Sequence, residues 1–320
     1  MRVYNPKTEM LLRAELQDQL KAYRRERGFD PATCVSAKVE LLNDYLRASG
    51  LASCVIGVSG GIDSAVTLAL IAAAAEVGSS PITKIIPVCL PVHSPGATHQ
   101  DQATVRARRL AETLGLEADV IDLTEAHAAL RQACVSATGL NSSEWADGQL
   151  VSYARTPALY FLTSLLTEAE EPGLVCGTIN RDEGAYLGYV GKAGDGMVDI
   201  QLIADLHKSE VYALAEYLRL PDEVIAAVPS GDMYDGREDT EVFGAPYDFV
   251  ELYLHWLCLG NEEREQLRAR WQPQTKAQFD QMAANLEHLH DHNKHKYSVG
   301  SPAVHLNFYQ SGVPGGWSDA

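Results

Sequence analysis

The sequence predicts an α/β fold in which a doubly wound parallel sheet carries additional helices at both chain ends. Three observations support this prediction. The run Cys54-Val55-Ile56-Gly57-Val58, rich in small and β-branched residues, is typical of a strand buried on both faces. The glycine turn Ser59-Gly60-Gly61 follows it directly, and strand-like and helix-like segments alternate from there on. Such alternation builds parallel sheets covered by helices.

Two helices are predicted before the first strand. Apolar residues recur at helical spacing between residues 11 and 23 and again between residues 35 and 46. Gly28 and Gly50 follow these segments, and glycine is the usual residue just past a helix end. We therefore expect the helices to stop there.

The later elements are predicted from the same patterns. They are helices at 62–75, 97–114, 150–166 and 208–218, and strands at 84–90, 118–123 and 173–177. Residues 228–246 contain Pro229 and several glycines without a clear period, which indicates a mobile lid. The chain then divides into a helical extension (1–30), an α/β domain (31–297) and an irregular tail (298–320).

Composition argues against several classes of protein. The chain has 26 basic and 43 acidic residues, a net charge of −17, which disfavours binding to nucleic acid or to an anionic membrane surface. Its six cysteines are widely spaced without a C-x-x-C pair, as expected of reduced thiols. It has no apolar run of the roughly 18 residues that a membrane span needs, and we expect no signal peptide because residues 1–10 lack an apolar h-region. We expect a cytoplasmic protein.

The turn Ser59-Gly60-Gly61-Ile62-Asp63-Ser64 predicts a phosphate site. Ligands of open α/β sheets bind at the carboxyl ends of strands, where glycines admit an anion to the N–H groups of the next helix. Asp63 would repel a phosphate unless a cation lies between them, so the turn also suggests a divalent metal. The alternative is an ordinary strand-to-helix turn in which Ser or Asp only caps the helix.

The turn resembles the pyrophosphate loop of the N-type ATP pyrophosphatases, and later segments resemble the NAD synthetase family in order and spacing. The resemblance covers about residues 30–297. These later segments are Gly177-Thr178-Ile179-Asn180-Arg181-Asp182-Glu183, Lys192-Ala193-Gly194-Asp195-Gly196, Asp199, Leu206-His207-Lys208, Pro229-Ser230-Gly231-Asp232, Asp239-Thr240-Glu241, Tyr247-Asp248 and His295-Lys296.

The resemblance implies an ammonia-dependent ligase on a Rossmann-like fold of the ATP pyrophosphatase type. Members adenylate the pyridine carboxylate of deamido-NAD with ATP, release pyrophosphate, and let ammonia displace AMP. Mg²⁺, ATP and a homodimer are implied as well, with no nucleic acid or membrane as partner. Residues 1–50 are too short and too helical for a glutaminase, so free ammonia is the expected nitrogen donor.

The family's site residues carry over by position. Catalytic roles fall to Asp63, Glu183 and Lys208, and Asp63 and Glu183 are also the magnesium ligands. The expected ATP contacts are Gly57, Ser59, Gly60, Gly61, Asp63, Ser64, Thr178, Lys208 and Ser230. The expected deamido-NAD contacts are Arg155, Lys192, Asp199, His295 and Lys296.

The sequence also departs from the family pattern. The family's Lys-Ala-Arg-x-Arg is Tyr153-Ala154-Arg155-Thr156-Pro157 here, which removes two cations, and one extra residue lies between Glu183 and Lys192. The insertion leaves Asp182 as an alternative metal ligand. Two alternatives to the function also stay open: a related ATP pyrophosphatase that adenylates a different acceptor, and an inactive homologue that only binds the nucleotide.

Overall fold

A six-stranded parallel sheet forms the centre of the computed structural model, which describes residues 11–93, 100–231, 236–296 and 304–309. The strand order is β3-β2-β1-β4-β5-β6, and every neighbouring pair is parallel. The strands are β1 (Ser53–Gly57), β2 (Lys84–Cys89), β3 (Asp119–Val120), β4 (Gly173–Gly177), β5 (Ile200–Gln201) and β6 (Val304–His305).

Thirteen α-helices lie within the described residues. They are α1 (Ala14–Arg27), α2 (Pro31–Ser49), α3 (Ile62–Ala75), α4 (Gln100–Thr113), α5 (Thr124–Thr138), α6 (Glu144–Glu168), α7 (Arg181–Gly184), α8 (Lys208–Tyr217), α9 (Asp222–Ile225), α10 (Asp239–Phe243), α11 (Tyr247–Cys258), α12 (Asn261–Ala269) and α13 (Pro273–Asn293). A 3-10 turn, Lys294–Lys296, continues α13.

Helices cover both faces of the sheet. Leu174 and Cys176 of β4 lie in the main core with residues of α2, α3 and α8, whereas Val175 packs on the other face against α6. This alternation follows from the two-residue period of a strand. The doubly wound parallel sheet predicted from the sequence is confirmed.

A second core lies outside the sheet. It is built from α1, α10, α11 and α13, and includes Leu16 and Leu20 of α1 beside Phe243 and Phe249. The N-terminal helix thus packs with the C-terminal helices. Gly28 and Gly50 end α1 and α2 with φ of 59° and 68°, as the sequence predicted.

Four elements, β3, α5, β5 and β6, differ from the sequence expectations. β3 is two residues long where residues 118–123 were expected, and α5 and β5 have no counterpart in the prediction. The tail is not irregular at residues 304–309, because β6 pairs with β5 and Leu306 is buried in the main core. A two-residue strand is too short for its sequence to show a period, and only its tertiary partners define it.

The predicted lid is also too wide. Residues 239–246 contain α10, and Phe243 and Ala245 are fully buried in the second core. Its residues 232–235 lie outside the described part of the chain. Within that part, no helix is both long enough and apolar enough to cross a membrane.

Candidate active site

The turn after β1 forms a cradle at the carboxyl edge of the sheet. Gly60 has φ of +75°, and a Cβ there would collide with the carbonyl oxygen of Ala103, so only glycine fits. The Ser64 hydroxyl donates to the carbonyl of Gly61 and lies 3.2 Å from the Ser59 hydroxyl. No side chain caps the first turn of α3, whose N–H groups therefore remain available to an anion.

The loop after β4 brings a second set of polar groups to the same edge. Asn180 caps α7 by accepting from the N–H of Glu183 at 3.1 Å, and its amide donates to Asp63 Oδ1 at 2.9 Å. One side chain therefore ties the β4 loop to the phosphate turn. Gly57 ends β1 and Thr178 follows β4 directly, both half-buried.

Lys208 joins the two loops from the start of helix α8. It is the first residue of α8, and its Nζ donates to Asp63 Oδ2 at 2.6 Å and to Glu183 Oε1 at 3.0 Å. Its residue is only 2% exposed. The three residues to which the sequence assigned catalytic roles thus meet, with both carboxylates bonded to the ammonium group of Lys208.

Three further residues that the sequence analysis did not assign to the site complete this cluster: Asp239, Tyr247 and Tyr189. The Tyr247 hydroxyl lies 2.8 Å from Glu183 Oε1 and 2.9 Å from Asp239 Oδ2. Tyr189 donates to the other oxygen of Asp239 at 3.1 Å. Asp239 and Tyr247 belong to segments that resemble the family, so the signal was present, but their convergence depends on how α10 and α11 pack.

Burial and charge set the protonation states. Burial alone would lower the pKa of Lys208, but Asp63 and Glu183 outweigh it and raise that pKa well above its ordinary value. Burial, reinforced by the like charges of Asp63 and Asp239, raises the pKa of Glu183 to about 8. Burial likewise raises the pKa of Asp239. The lysine is a fixed cation, while Glu183 can exist in either form near neutral pH.

Asp182 precedes Glu183 in the sequence, and its carboxylate bonds the start of α8. Its Oδ1 is 2.6 Å from His207 Nδ1, and its Oδ2 accepts from the backbone N–H of Lys208 at 2.7 Å. The Asp182 carboxylate is fully buried and holds the start of α8, whereas Glu183 bonds the Lys208 ammonium group beside Asp63. This geometry favours Glu183 over Asp182 as the carboxylate that faces a ligand.

The structure gives several of the residues expected to contact deamido-NAD partners within the protein. Arg155 donates to the carbonyl of Leu90 at 3.2 Å, and Lys296 to the carbonyls of Gly188 and Val190 at 2.7 and 2.6 Å. Asp199 accepts from the N–H of Val175 and from Tyr160. Lys192 and His295 are exposed.

Thr156 connects α6 to the loop that carries Lys192. Its hydroxyl donates to the carbonyls of Ala193 and Gly194 at 2.9 and 3.1 Å, so Arg155 lies next to that loop. Ser230, expected near ATP, is exposed and forms an isolated antiparallel β-bridge with Glu238 through the backbone.

The site as a whole offers a phosphate cradle, a buried cation and two carboxylates bonded to it. These groups can bind a polyphosphate and hold a metal ion that prefers oxygen ligands.

Comparison with known proteins gives a consistent result. The family model described as NAD synthase matches residues 34–300. The chain is 30% identical to the NH(3)-dependent NAD(+) synthetase of Methanococcoides burtonii over 72% of this chain and 81% of that protein. It is 34% identical to the enzyme of the same description from Carboxydothermus hydrogenoformans, over 68% and 84% of the respective chains.

Solved structures show the same fold. An NMN synthetase from Francisella tularensis superposes with a TM-score of 0.66 at 26% identity, covering 84% of this chain and 96% of that one. An NH3-dependent NAD synthetase from Campylobacter jejuni superposes with a TM-score of 0.61 at 24% identity over the same shares.

Proposed function

The chain belongs to the NAD synthase family, and we propose that it amidates deamido-NAD to NAD with ammonia and ATP. A carboxylate oxygen of the pyridine ring attacks the α-phosphorus of ATP, and pyrophosphate leaves. Ammonia then attacks the acyl carbon, AMP leaves with the former carboxylate oxygen, and the nitrogen loses a proton. The products are NAD, AMP and pyrophosphate.

The convergence of Lys208 on Asp63 and Glu183 beside the phosphate cradle is the observation that carries this proposal. A free carboxylate is a poor electrophile, and its adenylation creates a leaving group. The departing pyrophosphate concentrates negative charge, so fixed donors and cations lower the barrier more than covalent catalysis would. Lys208 and the N–H groups of α3 would supply that stabilisation, and Ser59 and Ser64 would orient the phosphates.

The donors of this site fit magnesium. Among the described residues, no group of three or more His, Cys, Asp or Glu side chains is arranged to hold a metal ion on its own. Asp63 and Glu183 nevertheless supply two carboxylates, which is the number that Mg²⁺ takes when phosphates and water complete its shell. These two residues would hold an ion that enters with ATP, and the ion would neutralise charge on the pyrophosphate.

A mononucleotide acceptor is the second candidate. The two cations missing at Tyr153 and Pro157 would weaken attraction to an anionic dinucleotide, and the Francisella tularensis neighbour is named an NMN synthetase. Nicotinate mononucleotide presents the same pyridine carboxylate without the AMP half. Deamido-NAD remains the first choice because the relatives at 30% and 34% sequence identity are both named NH(3)-dependent NAD(+) synthetases.

A direct assay separates these candidates. Purified protein would receive MgATP, ¹⁵N-ammonium and either deamido-NAD or nicotinate mononucleotide, and the labelled amide, AMP and pyrophosphate would be quantified. We expect equal amounts of the three products and a higher kcat/KM with deamido-NAD. A higher kcat/KM with the mononucleotide would make nicotinate mononucleotide the preferred substrate. If neither acid gave a product, the proposed activity would be refuted and an inactive homologue that only binds the nucleotide would be favoured.

We further propose that the protein is a cytoplasmic homodimer. Several large apolar side chains are exposed on α5 and α6, among them Trp145 at 58% and Phe161 at 63%. Exposed apolar residues grouped on neighbouring helices are typical of an interface with another protein. A second copy of the chain fits, because a symmetric dimer would bury the same face on both protomers.

A further inference from the structure

The segment that carries Lys208 is held from both ends of the chain. We call residues 205–210 the Lys208 segment. Helix α1 and residues 304–309 both contact it, and both lie outside residues 34–300, the part that matches the family model. These contacts therefore come from terminal segments, here called the terminal extensions, that lie outside the matched part of the chain.

The N-terminal helix contacts the Lys208 segment through two side chains. Arg27 forms a two-pronged ion pair with Glu210, with Nη2 at 2.9 Å from Oε2, and donates to the carbonyl of Asp205 at 2.7 Å. The Tyr23 hydroxyl lies 2.9 Å from His207 Nε2. Paired bonds of this kind fix orientation as well as distance.

The C-terminal residues hold the same segment at Asp205. Its Oδ2 accepts from the backbone N–H groups of Phe308 and Tyr309 at 2.8 and 3.0 Å. Lys38, fully buried, pairs with Oδ1 and also donates to the carbonyl of Leu306 at 2.8 Å. The two extensions meet each other where the Arg27 guanidinium lies 4.7 Å from the centre of the Tyr309 ring.

A continuous chain of hydrogen bonds leads from Tyr23 to the backbone of Lys208. The Tyr23 hydroxyl contacts His207 Nε2, His207 Nδ1 contacts Asp182, and Asp182 accepts from the N–H of Lys208. His207 and Asp182 are fully buried. Burial lowers the pKa of His207 to about 3 and raises that of Tyr23 to about 12, so both side chains are neutral near pH 7.

We propose that the two terminal extensions position Lys208 for catalysis, and that Tyr23 is a positioning residue that acts through His207 and Asp182. The inference rests on the proposed function only in assigning Lys208 its part in the reaction. An ammonium group stabilises a developing negative charge only when it is fixed close to that charge. Small displacements of the group therefore lower kcat. Binding of the substrates depends on other groups as well and should change little.

The test compares two tyrosine variants that each lose one buried hydroxyl contact. Tyr23→Phe keeps the ring that stacks on His255 at 4.0 Å but removes the contact with His207. The control Tyr253→Phe removes a 2.7 Å hydrogen bond between the second core and Glu287, a residue outside the Lys208 segment. We expect Tyr23→Phe to lower kcat by about two- to tenfold, the equivalent of one neutral hydrogen bond.

The same experiment distinguishes positioning from stability. Both variants should lower the thermal midpoint by similar amounts, whereas only Tyr23→Phe should lower kcat, with the KM values for ATP and deamido-NAD within about twofold of wild type. In a Lys208→Arg background the effect of Tyr23→Phe should largely disappear, because the group through which it acts has changed. Equal kcat in both tyrosine variants, or a fully additive effect with Lys208→Arg, would overturn the proposal.

Amide hydrogen exchange separates this proposal from the proposed function. Exchange in residues 205–210 should be severalfold faster in Tyr23→Phe than in wild type and unchanged in Tyr253→Phe, whatever the substrate. Wild-type protein without synthetase activity would refute the proposed function, and the exchange measurement would still decide whether α1 holds this segment. Unchanged exchange in Tyr23→Phe would refute the inference even in an active enzyme.

Discussion

At Lys208, one buried ammonium group is shared by two carboxylates from different loops. Its partners Asp63 and Glu183 lie 120 residues apart in the chain, yet each bonds the same nitrogen. A buried charge without a partner is expensive, so the three groups depend on one another. The consequences of removing the cation and of neutralising one anion should therefore differ.

Substitutions at Lys208 and Glu183 should separate stability from activity. Lys208→Met leaves two buried carboxylates without their cation and should cost about 3–5 kcal/mol of unfolding free energy. Glu183→Gln keeps an oxygen that accepts from Lys208 and Tyr247, so its thermal midpoint should remain near that of wild type. Both should lower pyrophosphate release on the order of 10²-fold. Near-full activity of Glu183→Gln would contradict the role of this carboxylate.

The pH dependence of stability should report Glu183 in metal-free protein. Its pKa in the folded state, about 8, lies above the ordinary value of 4.5, so its stabilising contribution is present below pH 4.5 and is lost as pH rises through 8. Glu183→Gln lacks this titration. In EDTA, the unfolding free energy of the variant relative to wild type should therefore rise between pH 5 and pH 9. A constant difference would show that the carboxyl titrates normally.

The residues of the site were predictable to different degrees. Asp63 follows the glycine turn and Glu183 follows the end of β4, and parallel strands bring such positions to one edge, whereas Lys208 was predictable only from the family resemblance. Asp182, His207 and Tyr23 were not predictable as a unit, because their hydrogen bonds join α1, α7 and α8 across the tertiary structure. Local periodicity contains no information about such contacts.

At the scale of elements, the main helices and strands follow from the sequence, whereas the packing of the second core does not. The bounds 62–75 and 173–177 match α3 and β4, since buried apolar runs there end at glycines or begin at the phosphate turn. The two-residue strands β5 and β6 depend on their neighbours in the sheet. The expected lid at 228–246 is shortened because Phe243 anchors its second half in the core.

Limited proteolysis should locate the part of this segment that opens. Residues 239–246 include α10 and buried Phe243, so a protease should not cut there in the native protein. Cleavage is expected only within 228–238, where Ser230 is exposed, and MgATP with deamido-NAD should suppress it. Cleavage sites would be identified by mass spectrometry. Cuts within 239–246, or no protection by saturating ligands, would contradict this account.

At the scale of the whole molecule, the exposed side chains of α5 and α6 predict a dimer. Sedimentation velocity at micromolar concentration should give a species of about twice the 34.8 kDa chain mass. Phe161→Glu, at 63% exposure, should shift the population to monomer, whereas Tyr217→Glu on α8, at 51% exposure, should not. Monomer alone for the wild type would refute the proposed dimer.

The fate of the carboxylate oxygens tests the proposed chemistry most directly. Deamido-NAD labelled with ¹⁸O in its pyridine carboxylate would be converted with MgATP and ammonium, and the products would be examined by mass spectrometry. Adenylation followed by attack of ammonia transfers one labelled oxygen to AMP, so we expect one ¹⁸O in each AMP, one in each NAD amide and none in pyrophosphate. Label in pyrophosphate, or AMP without label, would contradict an acyl-adenylate intermediate and with it the central claim.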